Sequence, residues 1–368
     1  MLLIGYFEGI DSQRGIAWRC ADSFSLREFL GFKITEATPE HSSLTRIRKR
    51  LPLSVHEKVF TFVLQMTSEA LPLTGIDIGV DSTMIEANAA MKTIIRKETG
   101  EDWKQYLKQL MIEAGEIEEN DEPTDEELQR FDRKRSDKGE KKVSNTNWKS
   151  PTDSDSRIVK MKDGRTHLGY KVEHVIDLSS EIILHAGVHH GTEHDTQTLV
   201  GNVVSAQENL DAANTETEIL NVVADKGYYK SEVLSQLELM GLTTYIPEKS
   251  NAGKLSKSDP HYWPRLVNRL ESRSLPGRKK QRLRSERVER SFAHSCETGG
   301  ARRSHLRGLN EIRKRYNIHA AARNLGLVMR KLFGVGTPRG LTVLLWLFLA
   351  NIWLLMDGKS RSETFCQN

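Results

Sequence analysis

Two aspartates in this chain stand where strand-like sequence gives way to polar residues. Asp225 closes the run Ile219-Leu220-Asn221-Val222-Val223-Ala224, with Gly227 two residues on. A short apolar, β-branched run stopped by a turn signal predicts a buried central strand, of the kind found in mixed α/β sheets covered on both faces. Asp225 then sits at the strand's carboxyl end, at the rim where α/β proteins gather ligands. An aspartate here also serves as an ordinary helix cap, and the local sequence does not separate the two readings. Over residues 75–87 apolar and polar side chains alternate, which predicts a strand with Asp77, Gly79 and Asp81 on one face. A plain solvent-exposed face would give the same alternation. Glycine and aspartate are poor strand formers, however, so something other than propensity keeps them there.

A third carboxylate is available further on. Residues 285–296 read as a helix with Val288, Phe292 and Ser295 or Cys296 on one side and Glu286, Glu289, Arg290 and Ala293 on the adjacent side. A glutamate on that face can lean over the sheet's rim towards Asp81 and Asp225. Three carboxylates at one rim repel one another unless a cation lies between them. Hard oxygen ligands without His or Cys select Mg²⁺ or Mn²⁺. Two such ions about 4 Å apart activate an attacking water or hydroxyl and stabilise the leaving oxygen at phosphorus.

The charge pattern points the same way. The net charge is only +4, but residues 265–315 are strongly basic, with Arg278, Lys279, Lys280, Arg282, Arg284, Arg287, Arg290, Arg302, Arg303 and Arg307. Such clustering marks a polyanion surface, with nucleic acid the leading partner. A solvated basic helix is the ordinary alternative. Arginine holds phosphate in two-pronged fashion better than lysine does. Carboxylates beside a basic helix therefore argue phosphodiester chemistry on nucleic acid.

The elements that must position these residues follow from periodicity. Residues 1–75 read as helical, with a helix entered at Thr38-Pro39-Glu40. The chain starts inside what reads as a helix, which suggests that N-terminal sequence is missing. Residues 88–160 form a long polar insertion. Its first part is helical, through Trp103, Tyr106, Leu107, Leu110 and Met111, and its second part is a mixed-charge excursion that is not expected to join a core. A β-hairpin is expected over 166–189, then a helix over 195–209, the Asp225 strand, a helix over 230–240 and a short strand at Thr243–Ile246. Residues 250–284 have no clear period. Helices return over 285–296 and 309–332.

His185, His189, His190 and His194 are dense enough to ask about a metal. Zinc sites usually pair His with Cys or a carboxylate at fixed spacing, and His189 and His190, adjacent on a strand, face opposite ways. A polar strand end is the better reading. Cys20, Cys296 and Cys366 show neither metal nor disulfide spacing, which suits a reducing cytoplasm, and no signal peptide is visible. The apolar run Leu341 to Met356 is shorter than the about 20 residues a membrane span needs and contains Asn351. It reads as a tail helix packed on the protein or on a partner.

Three segments in this order resemble the DDE transposases of bacterial insertion sequences. They are Val80-Asp81-Ser82-Thr83-Met84-Ile85-Glu86-Ala87-Asn88-Ala89, Val223-Ala224-Asp225-Lys226-Gly227-Tyr228 and Arg287-Val288-Glu289-Arg290-Ser291-Phe292-Ala293-His294. The stretch from Gly5 to Arg48 resembles the helical domain that precedes the core in that family, and the resemblance extends to about residue 338. It implies an α/β ribonuclease H-like core, a mixed sheet flanked by helices, over 75–335, after a helical DNA-binding domain over 1–74; an apolar tail over 336–368 follows. It implies two Mg²⁺ or Mn²⁺ ions held by Asp81, Asp225 and Glu289, hydrolysis at the element's ends and attack of the freed 3′-hydroxyl on target DNA. Glu286 is the runner-up to Glu289, and Asp77 the runner-up to Asp81. Arg287, Arg290, Arg302, Arg303, Arg307 and Lys226 are the expected DNA contacts.

Related families place a basic residue two turns after the glutamate. That position is Cys296 here, with Arg290, Arg302 and Arg303 as substitutes. The partners implied are terminal inverted repeats, target DNA and a second copy of the chain. Two other functions compete: a metal-dependent nuclease that does not join strands, and a decayed DNA-binding copy. The apolar tail matches nothing in the family and fits the decayed copy.

Overall fold

The structure is a computed structural model and describes residues 1–134, 145–250, 252–338 and 340–343. Five helices come first: α1 (Leu2–Phe7), α2 (Gln13–Asp22), α3 (Phe24–Phe29), α4 (His41–Arg50) and α5 (Leu53–Ala70). Then follow β1 (Asp77–Glu86), β2 (Ile95–Arg96), α6 (Trp103–Glu113), α7 (Asp125–Lys134), β3 (Trp148–Lys149), β4 (Arg157–Lys160), β5 (Thr166–Asp177) and β6 (Ile183–His190). The chain continues through α8 (Asp195–Ala212), β7 (Asn221–Val223), α9 (Ser231–Leu239), β8 (Thr243–Tyr245), α10 (Tyr262–Arg273), α11 (Leu275–Glu297) and α12 (Leu309–Phe333).

A mixed sheet runs in the order β4-β5-β1-β7-β8, with β6 also paired to β5. β1 is where its direction changes. It is antiparallel to β5 on one side and parallel to β7 on the other, and β7 is parallel to β8. Side chains on the two faces diverge accordingly. From β5, Lys171 and Glu173 turn towards α8, while His174 turns towards α11 and α12, bonding Ser291 at 2.7 Å and Tyr316 at 2.9 Å. Ten consecutive residues of β5 are buried, except that the first two of its twelve are not, so it is a strand covered on both faces.

At each of two outer strands an asparagine takes up the backbone groups of one residue. Asn324 of α12 bonds the N–H and C=O of Ile183, and Asn268 of α10 bonds those of Ile246. Each amide occupies backbone groups that would otherwise offer a template for another strand. The main core fills the space between the sheet, α5, α8, α9 and α12.

Several sequence expectations change. Residues 250–284 carry α10 and the first half of α11, so the helix expected from Ser285 begins at Leu275. Pro276 and Gly277 look like punctuation, but Pro is at home in a helix's first turn, and Ser274 caps the end by accepting from Gly277 N at 2.9 Å. Glycine is needed there: a Cβ would meet the carbonyl of Glu271. Helix α4 starts at His41 with Glu40 as its cap position, two residues later than a cap at Thr38 suggested. Residues 157–160, inside the stretch read as a polar insertion, pair with β5. The helices α6 and α7 make a small core of their own from Tyr106, Leu107, Leu110, Met111, Leu128 and Phe131. The rest of the mixed-charge excursion, 135–144, and all but the first three residues of the apolar run lie outside the described residues. No helix among the described residues is long and apolar enough to cross a membrane.

Candidate active site

The site begins with two parallel neighbours. Gly79 of β1 is registered against Val223 of β7, so two residues further on Asp225, just past the end of β7, comes level with Asp81, the fifth of the ten residues of β1. Asp225 also caps the short helical turn Lys226–Tyr228, accepting from Gly227 N at 2.7 Å. The cap and the rim are thus one arrangement. Asp81 accepts from Ser82 N at 2.8 Å and from an Arg284 guanidinium N–H at 2.7 Å. Burial pushes its carboxyl above the ordinary range. Arg284 and the Ser82 N–H oppose that rise, and the negative charge of Asp225 adds to it.

Helix α11 crosses this rim. Gln281 donates to the carbonyl of Ala224 at 2.8 Å and to that of Tyr245, tying the ends of β7 and β8 to the helix. Arg284, one turn on, bonds Gln281 at 3.2 Å as well as Asp81. A Cβ on Gly79 would meet Leu178, Val288 and Arg284, so the glycine lets α11 lie close on β1. Beyond Arg284 the helix forms one wall of an open cleft of about 600 Å³, lined by Asp81, Ser285, Glu289, Phe292, Cys296 and Arg302 among others. Asp81 and Glu289 share this cleft. Asp225 is not among the described residues lining it and approaches Asp81 from the β7 side.

The runners-up lie elsewhere. Glu286 is exposed on another side of α11, paired with Arg290 at 2.5 Å. Asp77 is the first residue of β1, where Lys280 at 2.5 Å and Asn221 at 2.7 Å satisfy it. The basic residues divide in the same way. Arg287 is anchored on the carbonyls of Leu178 and Ser179, and Arg290 on Glu181 and Glu286. Both guanidiniums brace the β5–β6 turn, and Arg290 remains exposed while doing so. Arg302 lines the cleft and is exposed. Arg303 is exposed beside Glu86 at 3.9 Å, Arg307 is exposed near the Asn88 carbonyl, and Lys226 is exposed next to Asp225. The 302–304 segment is held against the end of β1 by Glu86 N–H donating to Arg302 O at 3.0 Å and Ser304 N–H donating to Glu86 O at 2.7 Å.

Comparison with protein families gives two matches. Residues 120–325, more than half of the chain, match the model described as a transposase DDE domain, and residues 1–50 match one described as a transposase domain. The chain belongs to the DDE transposase family. No curated protein and no solved structure matches it. The DDE match includes Asp225 and Glu289. Asp81 precedes it.

Within this transposase, sequence reasoning missed Arg284 and a buried polar group beneath the rim. Arg284 lay in the segment read as irregular. Beneath β5, Lys171 and Glu173 are almost wholly buried, 3.1 Å apart. Glu173 also accepts from Thr198 and Tyr228 at 2.9 Å each and contacts His189 at 3.2 Å. Burial alone would raise its carboxyl; the His189 hydrogen bond and the Lys171 charge bring it below the usual range. Lys171 reaches on to Asp195 at 3.3 Å, and Ser82 Oγ donates to the same oxygen at 3.2 Å. The signal in the sequence was Lys171 and Glu173 on the same face of a strand otherwise apolar enough to be buried.

The metal question has an answer in the donor set. Among the described residues no group of three or more His, Cys, Asp or Glu is arranged to hold an ion as it stands. Asp81 and Asp225 nevertheless offer a hard cation carboxylate oxygens, and the charge of Asp225 helps to raise the Asp81 carboxyl, a repulsion that a cation relieves as Arg284 now does in part. Glu289 is exposed, with room to turn. The histidines have other partners. His189 faces Glu173 and Asn202, and His190 faces the carbonyl of Asp155 on the opposite side.

Proposed function

We propose that this transposase cuts and joins DNA at the ends of its insertion sequence, on a ribonuclease H-like core, with Asp81, Asp225 and Glu289 holding divalent metal. What carries the reading is Asp225, at the carboxyl end of β7, brought level with Asp81 inside the parallel neighbour β1, with Glu289 on the wall of the cleft that Asp81 enters. The mixed sheet with helices on both faces is what such a core requires. Bound there, Mg²⁺ or Mn²⁺ supplies Lewis-acid polarisation of the phosphodiester and activates the attacking oxygen.

The chain's own residues do the rest. Asp81 and Asp225 are fixed, one by Ser82 and Arg284, the other by its cap bond to Gly227. Glu289 is free to turn and closes the set from the helix side. Arg302, with Arg303, Arg307 and Lys226 around the mouth, holds the DNA backbone. Arg287 and Arg290 keep α11 seated on the β5–β6 turn. The active form is a dimer pairing two ends.

A strand-transfer assay with a pre-cut end and a target plasmid tests the reaction class. Joined products that require Mg²⁺ or Mn²⁺ are expected. Cleavage of uncut ends without any joining would make the protein a nuclease instead.

A further inference from the structure

We infer that Asp195 is a positioning residue of this catalytic centre, fixed by the buried Lys171, that sets the affinity of the site for divalent metal. The inference rests on the reading of Asp225 as a metal ligand. Asp195 opens α8 on the sheet face opposite α11, and its two oxygens have different surroundings. Oδ1 takes the Lys171 ammonium at 3.3 Å and the Ser82 hydroxyl at 3.2 Å. Oδ2 faces the Asp225 turn: a Cβ on Gly227 would lie 2.8 Å from Asp195 Oδ2 and 2.9 Å from Asp225 Oδ1. The two carboxylates therefore face each other across a gap that a single glycine leaves open. Ser82, the residue after Asp81, donates to Asp195 directly, so Asp195 bonds the neighbour of one proposed ligand and faces the turn that carries the other.

The expense of this arrangement argues for a role. Lys171 is 1 % exposed and Glu173 not at all, and apolar residues of similar volume commonly serve stability as well as a buried ion pair does. Lys171 has a second carboxylate in Asp195, which is 30 % exposed and reaches towards the rim. The lysine thus holds one carboxylate in the core and aims another at Asp225. A carboxylate beside a metal ligand adds negative charge to the site, here held in place by Lys171 and Ser82, and losing such a neighbouring group typically weakens metal affinity about 10- to 100-fold.

The test measures Mn²⁺ binding to the full chain by electron paramagnetic resonance, together with metal-dependent cleavage and melting, for the parent, Asp195→Asn, Gly227→Ala and Asp225→Asn. The asparagine keeps the shape and the acceptor for Lys171 and Ser82 but loses the charge. The expected result is Mn²⁺ affinity lowered at least about tenfold in Asp195→Asn, a matching rise in the metal concentration for half-maximal cleavage, and unchanged melting. Gly227→Ala, which forces the two carboxylates apart, is expected to do the same even if Asp195→Asn folds poorly. Parental metal binding and metal dependence in both variants, with Asp225→Asn defective, would overturn the inference and leave the role of Asp225 standing. Parental metal binding in Asp225→Asn as well would overturn both.

Discussion

At the scale of residues, one turn of helix α11 decides which carboxylate faces the cleft. Glu286 and Glu289 are one turn apart in sequence, but Glu289 lines the cleft with Asp81 while Glu286 pairs with Arg290. Glu289→Gln is therefore expected to lower cleavage at least about 100-fold, the upper range for loss of even an indirect metal contact. Glu286→Gln should stay within a few-fold of the parent, since an exposed helix ion pair contributes only about 0.3–0.5 kcal/mol. Single-turnover cleavage of end-labelled duplex by the two variants decides between them, and equal losses would remove the distinction. The three carboxylates were legible because each sits in a local pattern: an alternating strand, an apolar run ending at a turn, a helix face. Their partners were not. Arg284 meets Asp81 across 203 residues of chain, and Lys171 meets Asp195 only because β5 and α8 pack together. No local period encodes such pairs.

At the scale of elements, α11 joins the sheet to the site. His174, fully buried and stacked on Phe292 at 4.1 Å, pins α11 and α12 to β5 through Ser291 and Tyr316. Burial, then the charges of Arg323 and His185, push its ring down to about 3. His185 is pushed down to about 4, first by burial and then by His189, with Glu173 opposing, and His319 lies well below its usual 6.5. As pH falls through 6.5 the unfolded chain takes up these protons, while folded His174 and His185 resist to about 3 and 4. Stability is thus full above 6.5 and is lost below it, by up to about 1.4 kcal/mol per pH unit for each histidine. Urea unfolding midpoints should hold from pH 7.5 to about 6.5 and fall from there to 4.5, and His174→Gln should flatten the fall; a pH-independent midpoint would contradict the role given to these rings. Strand and helix order was largely readable from sequence here. The miss was the start of α11: Pro276 and Gly277 signal a break when read alone, and only the crossing with α10 explains the glycine.

At the scale of the whole molecule, charge segregation is the clearest signal in the sequence, and the fold divides it. Some arginines of the basic stretch brace the structure from within, as Arg287, Arg290 and Arg284 do, while Arg302, Arg303 and Arg307 remain exposed near the cleft. Binding to the element's ends should weaken steeply with salt, with log affinity falling by about 0.9 per phosphate contact for each unit of log salt. Arg302→Ala should lower that slope by about one, which fluorescence anisotropy at several salt concentrations can read; an unchanged slope would place Arg302 off the DNA path.

The most direct measurement is cleavage of a labelled duplex carrying the element's own ends by the parent and by Asp225→Asn, in Mg²⁺, Mn²⁺ and EDTA. The account predicts cutting by the parent that needs metal, and its disappearance in Asp225→Asn with DNA affinity unchanged or raised. Cutting that survives the substitution would remove Asp225 from the site and contradict the mechanism built on it.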